Sequence, residues 1–184
     1  MELVRSFIEG DAESFALLYE RYKRPLYSYL NRLVPGQHQL ADDIFQQTWI
    51  KAVRQMGLFG KEQRFSAWMM RIAHNLLIDH FRKEKHVDKT REIEEFLEYT
   101  CDEKMIEPWK EMEMLDLQKA LAWAIEELSE DIREVFVLRQ DGVSFKEIAE
   151  IQGSSINTAL GRMQYALKKL RVLLEKWKLK GGER

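Results

Sequence analysis

The sequence has little of what a secreted, membrane-bound or disulfide-stabilised protein needs. Its 184 residues include one cysteine, Cys101, so no internal disulfide can form. No stretch approaches the roughly eighteen uninterrupted apolar residues that a membrane span requires. The first ten residues also lack the basic start and the apolar run of a signal peptide. We therefore expect a cytoplasmic protein.

Residue groupings that support catalysis are also missing. The sequence has no glycine-rich loop of the kind that binds phosphate. His74, His80 and His86 recur every six residues, which on a helix places each about 240° from the last and prevents them from sharing a metal. Cys101 lacks the basic neighbours that would activate a thiolate. We expect no enzymatic activity, no metal, no cofactor and no small-molecule substrate.

Proline is scarce, with three residues in the whole sequence, so long helices are possible. Across residues 42–56 the apolar side chains recur at steps of three and four, which is typical of an amphipathic helix. No segment of useful length alternates in the manner of a strand. Hydrophobic residues make up 45% of the sequence, enough for the core of one ordinary domain or two small ones. The sequence thus predicts an all-α protein.

Charge divides the chain into three parts. Residues 87–116 carry eleven acidic and four basic side chains, whereas the segments on either side are slightly basic. Between Val87 and about Glu107 the sequence also lacks a sustained apolar stripe, as expected of a linker. We therefore predict two small helical domains, residues 1–86 and 108–184, joined by an acidic flexible linker, residues 87–107. Proline at position 108 is tolerated in the first turn of the helix that opens the second domain.

Several residues mark predicted helix boundaries. Asp11 can accept hydrogen bonds from the first amides of a helix, so we expect it to cap one. Pro25 is expected to start or interrupt the next helix. Ser66 is expected to cap a helix that runs to about His86, and Ser129 to cap another in the second domain.

The most informative segment reads VSFKEIAEIQGSSINTALGRMQYALKKLRVLL and predicts a helix-turn-helix. Ser144 and Glu147 have the spacing of a capping box, in which each side chain accepts a hydrogen bond from the other residue's backbone amide. The short first helix ends at Gly153, which can adopt the positive backbone angle of a tight turn. Ala149 is small enough to let the two helices approach closely. Ser155 is expected to cap the second helix.

The second helix of such a motif enters the major groove with its first side chains at the base edges. Small polar groups there can hydrogen-bond bases or phosphates, and basic groups further along attract the DNA backbone. Residues 161–184 carry eight basic and two acidic side chains, which favours this role. The predicted DNA contacts are Ser155, Asn157, Thr158, Arg162, Lys168 and Lys169. The alternative is an ordinary pair of packed helices with a solvated charged face.

Two parts of the chain resemble one family, the extracytoplasmic-function group of the sigma-70 family of RNA polymerase sigma factors. Their promoter-binding domain is similar to LSEDIREVFVLRQDGVSFKEIAEIQGSSINTALGRMQYALKKLRVLL, and their first domain to ADDIFQQTWIKAV followed by RFSAWMMRIAHNLLIDHFRKEK. Both matches come in the family's order and spacing, which is more specific than a helix-turn-helix alone. The resemblance implies an alternative sigma factor that binds polymerase core and directs promoter recognition, DNA melting and transcription initiation.

The resemblance places a polymerase-binding surface on the helix of the first domain that contains Asp42, Asp43, Gln46 and Gln47. Its acidic and amide groups would pair with basic residues on the clamp of the polymerase largest subunit. Helix capping and compensation of the helix dipole are alternative or additional roles for the two aspartates. The implied partners are polymerase core, at its clamp and flap region, promoter DNA, and an anti-sigma factor, which could hold the protein at the membrane.

The resemblance also assigns the loop of residues 57–65 and the following helix to the melted minus-ten element. A base extruded there must be stacked or hydrogen-bonded, while basic side chains suit phosphates. The residues expected to contact this DNA are Phe59, Lys61, Arg64, Arg71, Asn75, Arg82 and Lys83. Phe65 and Trp68 could stack on a base or belong to the core, and Trp49 is expected in the core.

The predicted recognition helix departs from the family pattern at three positions. Ser154, Ala159 and Leu160 stand where the family usually has a branched apolar residue, a valine and a lysine. Leu160 removes a cation expected near DNA. It could instead contact a thymine methyl group, or the domain could bind its element weakly.

A conventional helix-turn-helix regulator is the main alternative function. Such a protein binds duplex operators without polymerase core, usually as a dimer. A sigma factor, by contrast, should need core to bind promoters, and its first domain should prefer single-stranded DNA. A protein-binding adaptor would bind core and yet support no initiation.

Overall fold

The computed structural model describes residues 2–60, 64–85 and 114–179, and its regular elements there are all helical, as predicted. The N-terminal helices are α1 (Glu2–Ile8), α2 (Ala12–Leu33), α3 (His38–Gln55) and α4 (Phe65–Lys85), with a short 3-10 turn at Met56–Leu58. The C-terminal helices are α5 (Met114–Glu126), α6 (Glu130–Gln140), α7 (Phe145–Gln152) and α8 (Ile156–Leu179). Among the helices in these ranges, none is long and apolar enough to cross a lipid bilayer. Lys61, the predicted linker of residues 87–107 and Pro108 lie outside the described residues.

The four N-terminal helices surround an apolar core. Tyr29 and Leu30 of α2, Ala52 of α3 and Ala73 of α4 have no exposed surface. Trp49 is buried among the aromatic rings that line this core, as the sequence predicted. Burial of the large side chains among them, such as Leu30, stabilises the arrangement by roughly 1.5 to 3 kcal/mol each, and the alanines allow close packing.

Helix α2 begins where the sequence predicted but continues through its proline. The Asp11 Oδ1 atom accepts a hydrogen bond from the amide of Glu13 at 3.0 Å, so Asp11 caps the helix. The prediction that Pro25 starts or interrupts a helix is wrong, because α2 runs through it without a break. Proline removes one helical hydrogen bond and crowds the preceding turn. Here its ring faces solvent, while Leu26 and Tyr29 on the following turn are buried and hold the helix against the core.

Helix α4 starts two residues earlier than predicted, because a helix capped by Ser66 would begin at Ala67. Ser66 lies inside the helix, so the prediction that it is the cap is wrong. The amide of Trp68 donates to the backbone oxygen of Arg64 at 3.0 Å, which places the start of the helix at Phe65. Phe65 is buried and packs against Tyr22, with the ring centroids 4.8 Å apart and the ring planes tilted by 53°. Tertiary packing of this ring therefore decides where the helix begins.

The C-terminal helices build a second, smaller core between α5, α6 and α8. Alanines on α5 and α8 allow these helices to approach closely, and larger side chains of α6 fill the remaining space. The buried members are Ala120, Ala124, Leu128, Ile132, Phe136, Ala166, Leu170 and Leu174. This core fixes α8, and with it the orientation of the helix-turn-helix.

The N-terminal and C-terminal helices are in contact in this structure. Helix α2 packs against α6, and α4 packs against α7. Leu138 of α6 and Ile148 of α7 belong to the same apolar cluster as Leu30 and Leu77 of the N-terminal helices. The sequence predicted two bodies joined by a linker and gave no indication that their cores would be continuous.

Candidate nucleic-acid and polymerase interfaces

The first helix of the predicted helix-turn-helix is fixed at both ends. At its start, the Ser144 hydroxyl accepts from the amide of Glu147 at 3.3 Å, and the Glu147 carboxylate accepts from the amide of Ser144 at 3.0 Å. At its end, Gly153 has φ 61° and the amide of Ser154 donates to the backbone oxygen of Ala149 at 2.9 Å. The capping box and the glycine turn are therefore present as predicted, and they set the angle at which α8 leaves the turn.

The contact between α7 and α8 depends on small side chains. Ala149 of α7 and Ala159 of α8 are both buried in the same apolar cluster. The substitution of alanine for the usual valine at position 159 leaves the helix pair closely packed. Leu160, which replaces the expected lysine, is 38% exposed on the outer side of α8. An apolar surface therefore lies beside the predicted base-reading residues.

The start of α8 presents polar side chains to solvent. Ser155 caps the helix, since its hydroxyl accepts from the amide of Thr158 at 3.0 Å. The same hydroxyl lies 2.8 Å from the Thr158 hydroxyl. Asn157 is exposed and points away from the core. Exposed groups at a helix N-terminus, with free amides and the positive end of the helix dipole, are well suited to phosphates and base edges.

Arg162 differs from the other predicted contacts of α8. Its guanidinium donates to the Gln152 side-chain oxygen at 2.7 Å and to the Asp131 carboxylate at 2.6 Å, and its side chain is 17% exposed. Arg162 therefore connects α8 to α6 and α7. Further along the helix, Lys168 is exposed, and the Lys169 ammonium lies 5.9 Å from the centre of the Tyr165 ring.

Helix α3 presents the predicted polymerase-binding residues on one surface. The buried side chains Ile44 and Trp49 hold the opposite face of the helix against the core. The Tyr27 hydroxyl donates to the Asp42 carboxylate at 2.7 Å, and this hydrogen bond raises the pKa of Tyr27. Asp43 is exposed, and no hydrogen bond to its carboxylate is described. The four exposed residues are Asp42, Asp43, Gln46 and Gln47.

Helix α4 places three of its predicted DNA contacts on a common face. Arg71, Asn75 and Arg82 are all exposed. At 100° per residue their directions around the helix axis fall within about 40° of each other. Lys83 is also exposed but lies about 80° beyond Asn75. The common face combines one amide with two cations, which is the chemistry that a base flanked by phosphates requires.

The predicted minus-ten loop is held by aromatic packing. The ring of Phe59 lies 5.5 Å from the ring of Phe65 and 5.3 Å from that of Trp68, and Phe59 is half-buried. Phe65 belongs to the core, whereas Trp68 is half-buried. Phe59 and Trp68 are thus the rings in the described part of this region that retain exposed surface.

Arg64, at the start of α4, points towards the C-terminal helices. Its guanidinium lies 3.4 Å from the Glu147 carboxylate and donates to the backbone oxygen of Gly142 at 3.4 Å. Although burial raises the pKa of Glu147, hydrogen bonds from Ser144 and the charge of Arg64 hold it below its ordinary value. A predicted DNA contact of the first domain is therefore paired with the helix-turn-helix.

Sequence reasoning missed a buried polar cluster between the two groups of helices. The Glu134 carboxylate, 3% exposed, accepts from the Tyr29 hydroxyl, from His74 Nδ1 at 2.9 Å and from the Gln152 amide at 2.8 Å. Burial acts to raise the pKa of Glu134, but these hydrogen bonds and the His74 charge outweigh it and lower that pKa. Burial and the Glu134 charge raise the pKa of Tyr29. The sequence feature that could have indicated this cluster is Glu134 itself, a charged residue at the start of the apolar segment EVFVL.

Comparison with known proteins identifies the family. Residues 18–87 match the Sigma-70 region 2 family, and residues 118–170 match the Sigma-70 region 4 family. The RNA polymerase sigma-H factor of Pseudomonas aeruginosa is 30% identical over 168 residues, which cover 88% of this chain and 86% of that protein. The extracytoplasmic-function (ECF) sigma-E factor of Escherichia coli K12 is 31% identical over 167 residues, with the same coverage. The chain belongs to the ECF group of RNA polymerase sigma factors.

Solved structures show that this sigma factor has a known fold. The sigma factor RpoE of Bartonella quintana, in complex with the anti-sigma factor NepR, superposes with a TM-score of 0.66 at 23% identity, covering 89% of this chain and 98% of that one. CnrH, in complex with the cytosolic domain of CnrY, also gives 0.66, at 24% identity and with coverage of 95% and 96%. In this sigma factor, the predicted polymerase and minus-ten residues all fall within the region 2 match, and the predicted minus-thirty-five residues within the region 4 match.

Proposed function

We propose that this sigma factor acts through three surfaces, each on a different helix. Helix α3 binds polymerase core, α4 and the loop before it capture the melted minus-ten element, and α8 binds the minus-thirty-five element. The observation that carries the proposal is the common face of Arg71, Asn75 and Arg82, since an exposed amide between two cations suits single-stranded DNA and has no evident structural role. No catalytic step is required of the factor, because binding energy drives the process.

Core binding through α3 is supported by charge. The carboxylates of Asp42 and Asp43 and the amides of Gln46 and Gln47 form a polar surface suited to basic residues on the polymerase clamp. Tyr27 holds Asp42 in a fixed position through its hydroxyl. A fixed carboxylate loses less conformational entropy on binding than a free one, which favours affinity.

Capture of the minus-ten element follows from the chemistry of α4. The Asn75 amide can read the edge of an unpaired base, and Arg71 and Arg82 can bind the phosphates on either side. Phe59 and Trp68 retain exposed ring surface on which a base could stack. Stacking contributes on the order of 1 to 3 kcal/mol per base, which offsets part of the cost of opening the duplex.

Binding of the minus-thirty-five element is assigned to the start of α8. Ser155, Asn157 and Thr158 lie where the second helix of this motif meets base edges. An asparagine amide pairs well with adenine, and Leu160 offers an apolar contact for a thymine methyl group. Lys168 and Lys169 supply attraction to the backbone, while Arg162 must leave Gln152 and Asp131 before it can reach DNA.

The domain organisation that we propose follows the sequence. Residues 1–86 form the first domain, residues 87–107 an acidic linker and residues 108–184 the second domain. Its support is the placement of the two family matches on either side of the acidic segment. In the holoenzyme, the second domain would lie near the polymerase flap region.

Regulation by an anti-sigma factor is a further part of the proposal. Two proteins of the same fold have been solved as complexes, RpoE with the anti-sigma factor NepR and CnrH with the cytosolic domain of CnrY. We place this sigma factor in the cytoplasm, because that is where polymerase core and the promoters are. An anti-sigma factor anchored in the membrane would hold the sigma factor at the membrane surface until the sigma factor is released.

A binding experiment with and without polymerase core tests the function. The purified chain is incubated with a duplex carrying its promoter, first alone and then with core, and the complexes are separated by gel electrophoresis. We expect a specific complex with core and none without it at the same protein concentration. A specific complex of equal affinity without core would instead identify a conventional duplex-binding regulator.

A further inference from the structure

The first turns of α8 expose a narrow face that carries amides and an apolar side chain. Asn157, Leu160 and Gln164 are exposed, and at 100° per residue their directions around the helix axis fall within about 60° of each other. Asn157 and Gln164 are about 10 Å apart along the axis, with Leu160 between them. This length corresponds to about three base pairs of B-DNA at 3.4 Å each. We name these three residues the base-reading face.

The two amides of this face are available for base contacts. In the part of the chain that the structure describes, no hydrogen bond joins the side chain of Asn157 or Gln164 to another residue. The fold therefore does not depend on either amide. An amide of this kind pairs with adenine through two hydrogen bonds, since its nitrogen donates to N7 and its oxygen accepts from the amino group.

Leu160 belongs to a stripe of exposed apolar side chains. Ile156 and Leu167 lie within about 40° of Leu160 around the helix axis, and they are 46% and 45% exposed. In the major groove the apolar group of a base edge is the methyl group of thymine. Contact with that methyl group would remove part of this apolar surface from water, which favours thymine beside the two amides.

The base-reading face lacks the kind of residue that most often selects guanine. Guanine is recognised in the major groove mainly by arginine or lysine, and residues 155–167 include one such residue, Arg162. Arg162 lies at least about 140° from the face around the axis, and it donates to Gln152 and Asp131 at 2.7 and 2.6 Å. The next cation along α8, Lys168, is about 16 Å beyond Asn157, past the N-terminal residues that contact base edges.

The two hydroxyls at the start of α8 add little discrimination between bases. The Ser155 hydroxyl accepts from the amide of Thr158 and lies 2.8 Å from the Thr158 hydroxyl. A hydroxyl can also donate or accept, so it can pair with either kind of base edge. Selection among bases is therefore left to the base-reading face.

We propose that the base-reading face makes this sigma factor select A·T over G·C base pairs within the minus-thirty-five element. The inference rests on the proposed function of α8 and deepens it. Asn157 and Gln164 each pair with an adenine, about three base pairs apart, and Leu160 contacts a thymine methyl group between them. Guanine presents two acceptors at the same edge, so it would satisfy the amide donor but oppose the amide oxygen.

A selection experiment with the holoenzyme tests the proposal. The full chain and polymerase core are incubated with a library of the region upstream of the protein's own gene, in which about eight base pairs at the minus-thirty-five position are randomised. Bound duplexes are separated by gel electrophoresis and sequenced. We expect A·T pairs to exceed G·C pairs about tenfold at two or three of these positions. Selection of G·C pairs at the preferred positions, or no preference at all, would overturn the proposal.

Two variants show whether the preference comes from these side chains. Gln164→Ala should reduce the preference for adenine about tenfold at one position and leave the other positions unchanged. Leu160→Lys should select guanine at a position where the parent selects thymine, because lysine pairs with the guanine acceptors. Both residues are exposed, so the variants should fold normally, which circular dichroism checks. An unchanged A·T preference in both variants would assign it to DNA shape and contradict the proposal.

Lys168→Ala is the matched control on the same helix. Loss of a cation that attracts the DNA backbone should weaken binding to all library members alike and reduce its salt dependence, without changing the selected bases. The same experiment separates the inference from the proposed function. Binding that selects G·C pairs removes only the inference. If the holoenzyme bound no library member better than core alone, the proposed function would fail and the inference with it.

Discussion

Asn75 and Asp43 are exposed side chains on different helices, and they allow the DNA and polymerase roles to be tested separately. Replacing Asn75 with alanine removes an amide that makes no described contact within the fold. We expect open-complex formation to fall about tenfold, equivalent to about 1.4 kcal/mol, within the range for an amide that reads one base. Permanganate reactivity of unpaired thymines at the minus-ten element measures this, and the affinity for core should be unchanged.

Asp43→Arg is the complementary variant. Reversing the charge should weaken core binding about tenfold, because a cation would face the basic surface of the clamp. In a competition titration, increasing amounts of the variant displace labelled parent protein from core. The displacement curve gives the affinity of the variant for core. If Asn75→Ala formed as much open complex as the parent, Asn75 would not belong to the DNA-binding surface. If Asp43→Arg competed for core as well as the parent does, Asp43 would not belong to the polymerase-binding surface.

The sequence predicts the structural role of a residue correctly when the residue's partners lie close to it along the chain. Asp11, Ser144 and Ser155 cap helices as predicted because each partner lies two or three residues away. Glu134 could not be understood in this way, since His74 and Tyr29 lie 60 and 105 residues from it. Arg162 was predicted to face DNA, and its pairing with Asp131, 31 residues away, could not be foreseen for the same reason.

At the scale of the element, the turn between α7 and α8 depends on Gly153. Its φ of 61° lies in the left-handed region, although there is open space for a β-carbon. Gly153→Ala should therefore lower the free energy of unfolding by about 1 kcal/mol through backbone strain rather than through a steric clash. Urea denaturation followed by circular dichroism measures the change.

Gly57→Ala is the matched control for that variant. Gly57 also has open space for a β-carbon but no positive φ, so its replacement should cost little. An equal loss of stability in both variants would show that the turn geometry is not the cause.

The presence of a helix and its approximate position follow from the apolar periodicity of the sequence, whereas the residues at which the helix begins and ends depend on packing. The sequence predicted α3 and α8 because their apolar residues repeat at helical spacing. It failed at Pro25, where buried neighbours hold α2 together in spite of a lost hydrogen bond, and at Ser66, where packing of the Phe65 ring moves the start of α4. Both errors arise from contacts between helices that no local pattern records.

At the scale of the whole molecule, the all-helical fold and the family follow from the sequence, but the compact packing of the two domains does not. The apolar residues that join them, such as Leu138 and Ile148, look like ordinary core positions of the second domain. Only the structure shows that they share a cluster with Leu30 and Leu77.

This ECF sigma factor enables polymerase core to start transcription at a promoter that core alone does not recognise. Run-off transcription with purified core, on a template carrying the region upstream of the protein's own gene, measures that activity. We predict a discrete transcript only when core and the sigma factor are both present, and about tenfold less of it with Asn75→Ala. A complete absence of transcript, from a factor that binds core and folds normally, would contradict the claim.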